Sequence, residues 1–154
     1  MTVVFVTGMS GTGKSSALTE LARRGHRVVD TDYGGWIEGE PEPLWREDRI
    51  RELLDEHGEE TLFISGCVAN QGVFYDRFDA VVLLRAPADV ILERVAVRAT
   101  NDFGKTDAER DRIISDLAAV EPILRRGATA EIDTRAPLAE VVDALERIAS
   151  STTP

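Results

Sequence analysis

The sequence has little cysteine and histidine. Its 154 residues include one cysteine, Cys67, and two histidines, His26 and His57. A single cysteine excludes a disulfide within the chain and is typical of a reducing compartment. Neither histidine forms a nucleophile-activating pattern with the cysteine, so a buried, small apolar role for Cys67 is favoured over catalysis.

Positive charge and long apolar runs are also scarce. Against 28 Asp+Glu there are 18 Lys+Arg, a formal net charge of -10. The acidity predicts no general affinity for nucleic acid or anionic membranes, although it does not exclude a local basic cleft. The first residues carry no basic leader, so we expect no signal peptide, no spanning segment and a cytoplasmic location. With 43% hydrophobic residues, we expect one domain over 1–149 and a frayed tail at 150–154.

The most informative motif is the octapeptide at 8–15, Gly-Met-Ser-Gly-Thr-Gly-Lys-Ser. It fills the G-x-x-x-x-G-K-[ST] template of a nucleotide-binding P-loop at every required position. Its glycines allow a tight turn whose backbone N–H groups converge on a polyphosphate, and the following helix adds the positive end of its dipole. The residues predicted to bind the nucleotide here are Gly8, Ser10, Gly11, Thr12, Gly13, Lys14, Ser15 and Ser16.

The neighbours of the motif support this interpretation. An apolar, β-branched run at 2–7 predicts a buried strand before it, and 16–24 predicts an amphipathic helix ended by Gly25. Within such a loop Lys14 would bridge the β- and γ-phosphates, and the Ser15 hydroxyl would ligate Mg²⁺.

Apolar strands alternate with amphipathic helices along the whole chain. Further strands are predicted at 27–30, 61–65, 80–84 and 131–133, and further helices at 44–57, 88–98 and 107–126 and from Leu138 onward. Leu44 in the first of these helices and Ile114 in the third are predicted to face inward. This alternation predicts an α/β protein with the three-layer P-loop NTPase fold, in which helices flank a five-stranded parallel sheet.

Two carboxylates are the best candidates for metal binding and acceptor binding. The strand at 61–65 ends in Ser65 rather than in the carboxylate that usually follows the third strand of such sheets. Asp30 and Asp32 end a neighbouring strand, at the edge where ligands bind in parallel sheets. We predict that Asp30 holds Mg²⁺ through water and that Asp32 orients or deprotonates the acceptor hydroxyl. The alternative is that both aspartates cap the following turn.

Two arginines are candidates for binding phosphate. Arg94 and Arg98 lie four residues apart, hence on one helix face, and precede a polar segment that could form a short lid over about 98–106. The alternative is a solvated stripe paired with nearby acids. Trp36 is predicted either to stack on the acceptor or to pack on the next helix. Asn70 and Gln71 are predicted either to bind the acceptor or to form a turn.

The order of elements resembles that of the small P-loop kinases, which include the nucleoside monophosphate kinases and shikimate kinase, and so identifies an AAA-type, ATP-binding kinase-like protein. The segment Asp30-Thr31-Asp32 is similar to the Asp-x-Asp strand end of shikimate kinases. Ile132-Asp133-Thr134 is similar to the adenine-binding loop, which implies nucleotide contacts from Thr134 and Arg135. In place of the triple glycine of shikimate kinases, the chain has Ser65-Gly66-Cys67.

The predicted function is therefore that of an ATP-dependent phosphotransferase that uses Mg²⁺ and a small-molecule acceptor, either a nucleoside or nucleotide or a hydroxylated metabolite. The alternatives are an antibiotic-modifying kinase and an ATPase switch that acts through a protein partner. A guanine-specific Asn-Lys-x-Asp motif is absent from the sequence. The sequence leaves the acceptor and the oligomeric state open.

Overall fold

The fold is taken from a computed structural model that describes residues 2–56, 58–97 and 106–152. Within these residues the strands are β1 (Val3–Thr7), β2 (Arg27–Asp30), β3 (Ile37–Glu38), β4 (Leu44–Trp45), β5 (Leu62–Ser65), β6 (Ala80–Arg85) and β7 (Ala130–Asp133). The helices are α1 (Lys14–Arg23), α2 (Glu47–Asp55), α3 (Ala88–Val97), α4 (Asp107–Gly127) and α5 (Leu138–Ser151), with a 3-10 helix at Gln71–Arg77.

Within the described residues, the larger sheet has five parallel strands in the order β2-β5-β1-β6-β7. Strand β1 is central and pairs with β5 on one side and β6 on the other. Because its neighbours cover both edges, β1 is buried along its whole length, as its run of β-branched residues predicts. The loop that follows β1 therefore lies at the middle of the sheet's carboxyl edge.

Two apolar cores lie on opposite faces of the sheet. On one face, Leu18 of α1 and Leu145 of α5 pack with Val4 and Phe63. On the other face, residues of α2 and the 3-10 helix pack on β1 and β5 around Phe5 and Trp45, whose rings meet edge to face at 5.3 Å. Helices α3 and α4 share a smaller cluster. The predicted three-layer α/β fold is confirmed.

The structure corrects the predicted helix at 44–57. Leu44 and Trp45 form β4, which pairs antiparallel with β3, and α2 begins only at Glu47. Leu44, predicted to face inward, is instead exposed. The hairpin of β3 and β4 and the 3-10 helix were not predicted, since two-residue strands leave no periodic pattern to detect.

Two helix predictions also differ in detail. Helix α5 continues through Ser151, although a frayed tail was predicted to begin at 150. Helix α4 buries Ile113 and Leu124 but leaves Ile114 exposed, although Ile114 was predicted to face inward. Thr106 caps α4, because its Oγ1 accepts a hydrogen bond from the Glu109 N–H at 3.2 Å. None of the described helices is both long and apolar enough to span a membrane.

Candidate functional site

A cavity of about 770 Å³ opens at the carboxyl edge of the sheet. The loop between β1 and α1 forms its floor, from Met9 to Ser16, and the opposite walls carry Asp32, Cys67, Arg94 and Thr134. The volume lies within the range of small-molecule sites. The cavity also lies where ligands bind in open parallel sheets.

The backbone of the loop requires glycine at particular positions. A Cβ on Gly8 would lie 2.4 Å from the Leu84 carbonyl oxygen, and Gly13 has a φ of 101° immediately before α1. These glycines let the chain turn tightly into the helix. The Lys14 ammonium donates hydrogen bonds to the carbonyl oxygens of Gly8, at 2.5 Å, and Met9, at 3.2 Å, so the loop itself holds this cation.

Ser15, which lines the cavity, meets Asp30 at the end of β2, and the two residues form one corner of the site. The Ser15 hydroxyl, in the first turn of α1, donates to Asp30 Oδ2 at 2.6 Å. The other oxygen of Asp30 accepts from the Asp32 backbone N–H at 3.1 Å. Two residues predicted to bind Mg²⁺ are therefore in contact, and the Asp30 carboxylate also fixes the turn that presents Asp32. The alternative capping role is therefore present for Asp30, and its metal role stays a prediction.

Asp32 lines the cavity opposite the P-loop. Burial raises the pKa of its carboxyl group, the charge on Lys14 acts in the opposite direction, and Asp30 adds to the rise. Although the Asp32 side chain is exposed, a carboxylate with a raised pKa in the same cavity as a phosphate-binding loop is a candidate proton acceptor.

A buried chain of polar groups lies behind the Cys67 wall. The Thr7 hydroxyl accepts a hydrogen bond from Gln71 Nε2 at 3.1 Å, and the same amide nitrogen donates to the Tyr75 hydroxyl at 2.8 Å. Partial burial raises the pKa of the Cys67 thiol, and the charge on Lys14 acts in the opposite direction. Cys67 is only half-buried and lines the cavity, which differs from the buried, small apolar role that the sequence favoured.

Arg94 ties three parts of the site together. Its guanidinium donates to the Gly11 carbonyl at 3.3 Å, to Thr134 Oγ1 at 2.9 Å and to the Thr134 carbonyl at 2.5 Å. Arg94 therefore lies between the P-loop and the turn after β7. The alternative of a solvated stripe fails for Arg94, because the side chain is half-buried and its partners are backbone and hydroxyl oxygens.

The two residues predicted to contact the nucleotide after β7, Thr134 and Arg135, have different environments. Thr134 is buried, donates from its backbone to the Arg85 carbonyl at 2.9 Å and lines the cavity. Arg135 is exposed and pairs with Asp133 at 2.6 Å, which lowers the pKa of Asp133 to about 2. Among the described residues that line the cavity, Thr134 is present and Arg135 is not.

Several other predicted contacts have structural partners. Asn70 accepts from the Trp45 N–H at 2.9 Å and so holds β4, a long-range contact that differs from both of its predicted roles. Trp36 lies under Arg49 of α2, with the guanidinium 4.3 Å from the ring centroid, so it packs on the next helix. Arg98 and segment 98–105, the predicted lid apart from Thr106, lie outside the described residues.

Sequence reasoning missed part of the cavity wall. Tyr33, which is 64% exposed, lies beside Asp32. Ala136, Leu138 and Val141 supply an apolar surface at the start of α5. Their apolar spacing indicated only a helix core. Position after a strand end was the available signal for Tyr33, Cys67 and Ala136, since loops at the carboxyl edge line such sites.

The corner of Ser15 and Asp30 fits a hydrated magnesium ion. Mg²⁺ prefers oxygen ligands, keeps several waters and is completed by substrate phosphates. Ser15 and Asp30 supply a hydroxyl and a carboxylate, and the buried Ser65 Oγ on the neighbouring strand lacks a partner in the described chain. Among the described residues there is no group of three or more His, Cys, Asp and Glu side chains that could hold a metal without such phosphates.

Comparisons with known proteins agree with this geometry. A family model described as an AAA domain matches residues 4–115, which is more than half of the chain. The chain belongs to this AAA domain family. The match spans the P-loop, Asp30, Asp32 and Arg94, and membership implies nucleotide binding. No curated protein sequence matches the chain.

Solved structures share the fold over nearly the whole chain. Shikimate kinase from Bacteroides thetaiotaomicron is 21% identical, with 97% of this chain and 98% of that chain covered and a TM-score of 0.66. Shikimate kinase from Acinetobacter baumannii in complex with shikimate is 20% identical, with 99% of this chain and 95% of that chain covered and a TM-score of 0.68. A gluconokinase from Sinorhizobium meliloti 1021 is 22% identical, with 97% of this chain and 94% of that chain covered and a TM-score of 0.60. The predicted resemblance to small P-loop kinases is confirmed at the level of the fold.

Proposed function

We propose that this AAA-family protein is an ATP-dependent, Mg²⁺-requiring kinase of a small hydroxylated molecule. One observation carries the proposal: the P-loop and Asp32 line the same cavity, where the charge on Lys14 acts on the Asp32 carboxylate. A site that only binds nucleotide does not require a carboxylate with a raised pKa in the cavity of the phosphate-binding loop.

Each residue has a distinct part in the proposed transfer. Lys14 and the loop N–H groups bind the β- and γ-phosphates, and Ser15 and Asp30 hold Mg²⁺, which screens phosphate charge when bound. Asp32 hydrogen-bonds the acceptor hydroxyl and aims its oxygen at the γ-phosphorus. As the new oxygen–phosphorus bond forms, the bond to the β-phosphate oxygen breaks, ADP leaves, and the acceptor's proton passes to Asp32.

Arg94 and Thr134 serve the nucleotide in this proposal. Their contact joins Gly11 of the P-loop to the turn that resembles an adenine-binding loop. We therefore assign Arg94 to nucleotide binding, where it keeps two segments at a fixed distance. Arg98 stays the predicted phosphate-binding arginine, and Arg135 stays a predicted nucleotide contact, although it does not line the cavity.

The structural neighbours suggest which acceptors to test. Two are named shikimate kinases and one a gluconokinase, so their names point to hydroxylated carboxylic acids. The acceptor side of this cavity has Tyr33, Asp32 and Cys67 as its described residues. We therefore include neutral polyols, nucleosides, nucleotides and aminoglycoside-like alcohols with the hydroxy acids.

The test is ADP release from Mg-ATP with each acceptor, with the phosphorylated product identified by mass. We expect one acceptor class to stimulate ADP release and to gain a single phosphoryl group. Lys14→Ala should abolish transfer while the cooperative thermal transition persists, because the ammonium serves phosphate. ADP release that no acceptor stimulates, but a protein partner does, would favour the ATPase switch.

The two aspartates provide an internal check of the assignment. Asp30→Asn should raise the Mg²⁺ concentration needed for half-maximal rate, because it removes a charge from the metal corner. Asp32→Asn should lower turnover with little effect on nucleotide affinity. Near-wild-type kinetics for both variants would contradict these roles and leave only the turn contact of 3.1 Å between the two residues.

A further inference from the structure

The Ser65 hydroxyl is buried without a partner. Ser65 has no exposed surface, and its Oγ alone among the described buried side-chain nitrogens and oxygens lacks a hydrogen bond. Its carbonyl, in contrast, accepts hydrogen bonds from the Thr31 N–H at 3.0 Å and the Thr31 hydroxyl at 2.7 Å. A buried hydroxyl without a partner loses its hydration and gains nothing in return, so it lowers folding stability.

Strand pairing places this hydroxyl at the metal corner. Ser65 is the last residue of β5 and pairs with Asp30 on β2. Paired residues on neighbouring strands project from the same face, and residues two apart along a strand share a face. Two positions earlier, Phe63 and Val28 pack with Leu18 of α1, so Ser65 and Asp30 also face the α1 layer. Asp30 there contacts Ser15 of α1 at 2.6 Å.

We propose that Ser65 is a positioning residue for magnesium, whose hydroxyl hydrogen-bonds a water molecule of the ion's hydration shell beside Asp30. This inference rests on the proposed function, since it requires that Mg²⁺ binds with the nucleotide. Magnesium keeps several waters in protein sites, and each water needs partners around it. A serine hydroxyl can both donate to and accept from such a water, whereas an alanine or a valine at this strand end could do neither.

The proposal makes opposite predictions for two properties of one variant. In Ser65→Ala without ligands, the midpoint of thermal unfolding should stay the same or rise, because the substitution removes an unpaired buried group. In the presence of ADP, the Mg²⁺ concentration at half-saturation should rise about 3-fold to 10-fold, the range expected for one lost hydrogen bond. ADP affinity in EDTA should be unchanged.

A matched control is Thr7→Val, which removes a buried hydroxyl from the end of the adjoining strand. The Thr7 hydroxyl has a partner, because it accepts from Gln71 Nε2 at 3.1 Å. We expect Thr7→Val to lower the midpoint of thermal unfolding and to leave the Mg²⁺ half-saturation unchanged. Titration calorimetry with ADP across a Mg²⁺ series measures the affinity, and scanning calorimetry of the free protein measures the midpoint.

The results separate failure of this inference from failure of the proposed function. A lower unfolding midpoint for Ser65→Ala with an unchanged Mg²⁺ half-saturation would overturn the role of Ser65. If Asp30→Asn still shifted the half-saturation in that experiment, the proposed metal corner would stand. If ADP binding by the wild-type protein did not depend on Mg²⁺, both the metal corner and the Ser65 role would be overturned.

Discussion

The Asp32 side chain is exposed at the cavity wall, and partial loss of hydration there raises the pKa of its carboxyl group. Its folded-state pKa therefore exceeds the value in the unfolded chain. The folded state binds the proton more readily, so the ionised carboxylate lowers stability above the folded pKa. This destabilisation disappears as the pH falls below the unfolded pKa of about 4.

Replacing Asp32 by asparagine should therefore raise stability and lower activity together. At neutral pH we expect Asp32→Asn to unfold at a higher temperature than the wild type, and the difference should vanish below about pH 4. Turnover should fall by about 100-fold or more, the usual effect of losing a positioned base. Calorimetry over a pH series, together with initial rates, measures both. Asp76→Asn, at an exposed position, serves as the control and should change neither property.

A drop in stability of Asp32→Asn at neutral pH would show that the carboxylate has a net favourable structural role. The ionised carboxylate of Asp32 would then stabilise the turn that contains it. We expect the opposite, because the largest effect on the pKa of Asp32 is loss of hydration, which disfavours the ionised form.

Side chains of neighbouring elements connect loops at the carboxyl edge of the sheet. Arg94 of α3 connects the P-loop to the turn after β7. Trp45 of β4 donates from Nε1 to Thr31 Oγ1 at 2.9 Å, and Thr31 in turn donates to the Ser65 carbonyl at 2.7 Å. Buried contacts of this kind fix the loops that β-sheet hydrogen bonds alone would leave free.

The contacts of Arg94 predict how a conservative variant behaves. Arg94→Lys keeps the charge but cannot reach Gly11 and both oxygens of Thr134 with one rigid fork. We expect nucleotide affinity to fall by about 10-fold, equivalent to about 1.4 kcal/mol, with a smaller change in turnover. Equilibrium binding of ADP and steady-state kinetics measure the two effects.

Arg112→Lys is the matched control for that variant. Arg112 is a largely exposed arginine of α4, and its ion pair with Asp116, at 3.8 Å, lies on the helix surface. We expect wild-type nucleotide affinity and turnover. If Arg94→Lys lowered turnover much more than nucleotide affinity, Arg94 would act on the transferring phosphate, as the sequence first predicted, and its nucleotide-binding role would be wrong.

At the scale of the whole molecule, a cluster of ion pairs joins the turn after α1 to α5. Arg24 pairs with Asp143 at 2.7 Å and with Glu146, and His26 Nε2 lies 2.7 Å from Glu146. These contacts join residues up to 122 positions apart. The hydrogen bond from His26 and, next among the favourable contacts, that from Arg24 lower the pKa of Glu146.

This cluster predicts a stability that depends on pH. Because the folded-state pKa of Glu146 is lowered, its favourable contribution is present above the unfolded value of 4.5 and is lost as the pH falls through the folded value. Glu146→Gln should lower the unfolding temperature at neutral pH by about 2–4 °C, the shift expected for roughly 1 kcal/mol in a chain of this length. The difference should disappear in acid.

Glu56→Gln tests whether the effect belongs to the cluster. Glu56 forms a single, more exposed pair with Arg27 at 3.3 Å, so we expect a smaller change. Thermal unfolding of both variants over a pH series gives the comparison. Equal effects of the two substitutions would mean that Glu146 contributes as an ordinary surface charge.

The sequence by itself determined the parts of this protein that depend on contiguous residues. The P-loop was readable because its glycines, Lys14 and Ser15 act within one turn of chain. The alternation of apolar strands and amphipathic helices predicted the parallel sheet. Asp30 was correctly predicted to end a strand, and the carboxyl ends of parallel strands lie at one edge of the sheet. Periodicity needs several residues, so the hairpin of β3 and β4 escaped prediction.

Only the tertiary structure decided which distant groups meet. The partners of Arg94 lie 83 and 40 residues away, so no local pattern could distinguish a link between loops from a phosphate ligand or a solvated stripe. Asn70 holds Trp45, 25 residues away, rather than facing the cavity. The unpartnered hydroxyl of Ser65 became visible only once β5 was paired with β2, because satisfaction of a buried polar group depends on everything packed around it.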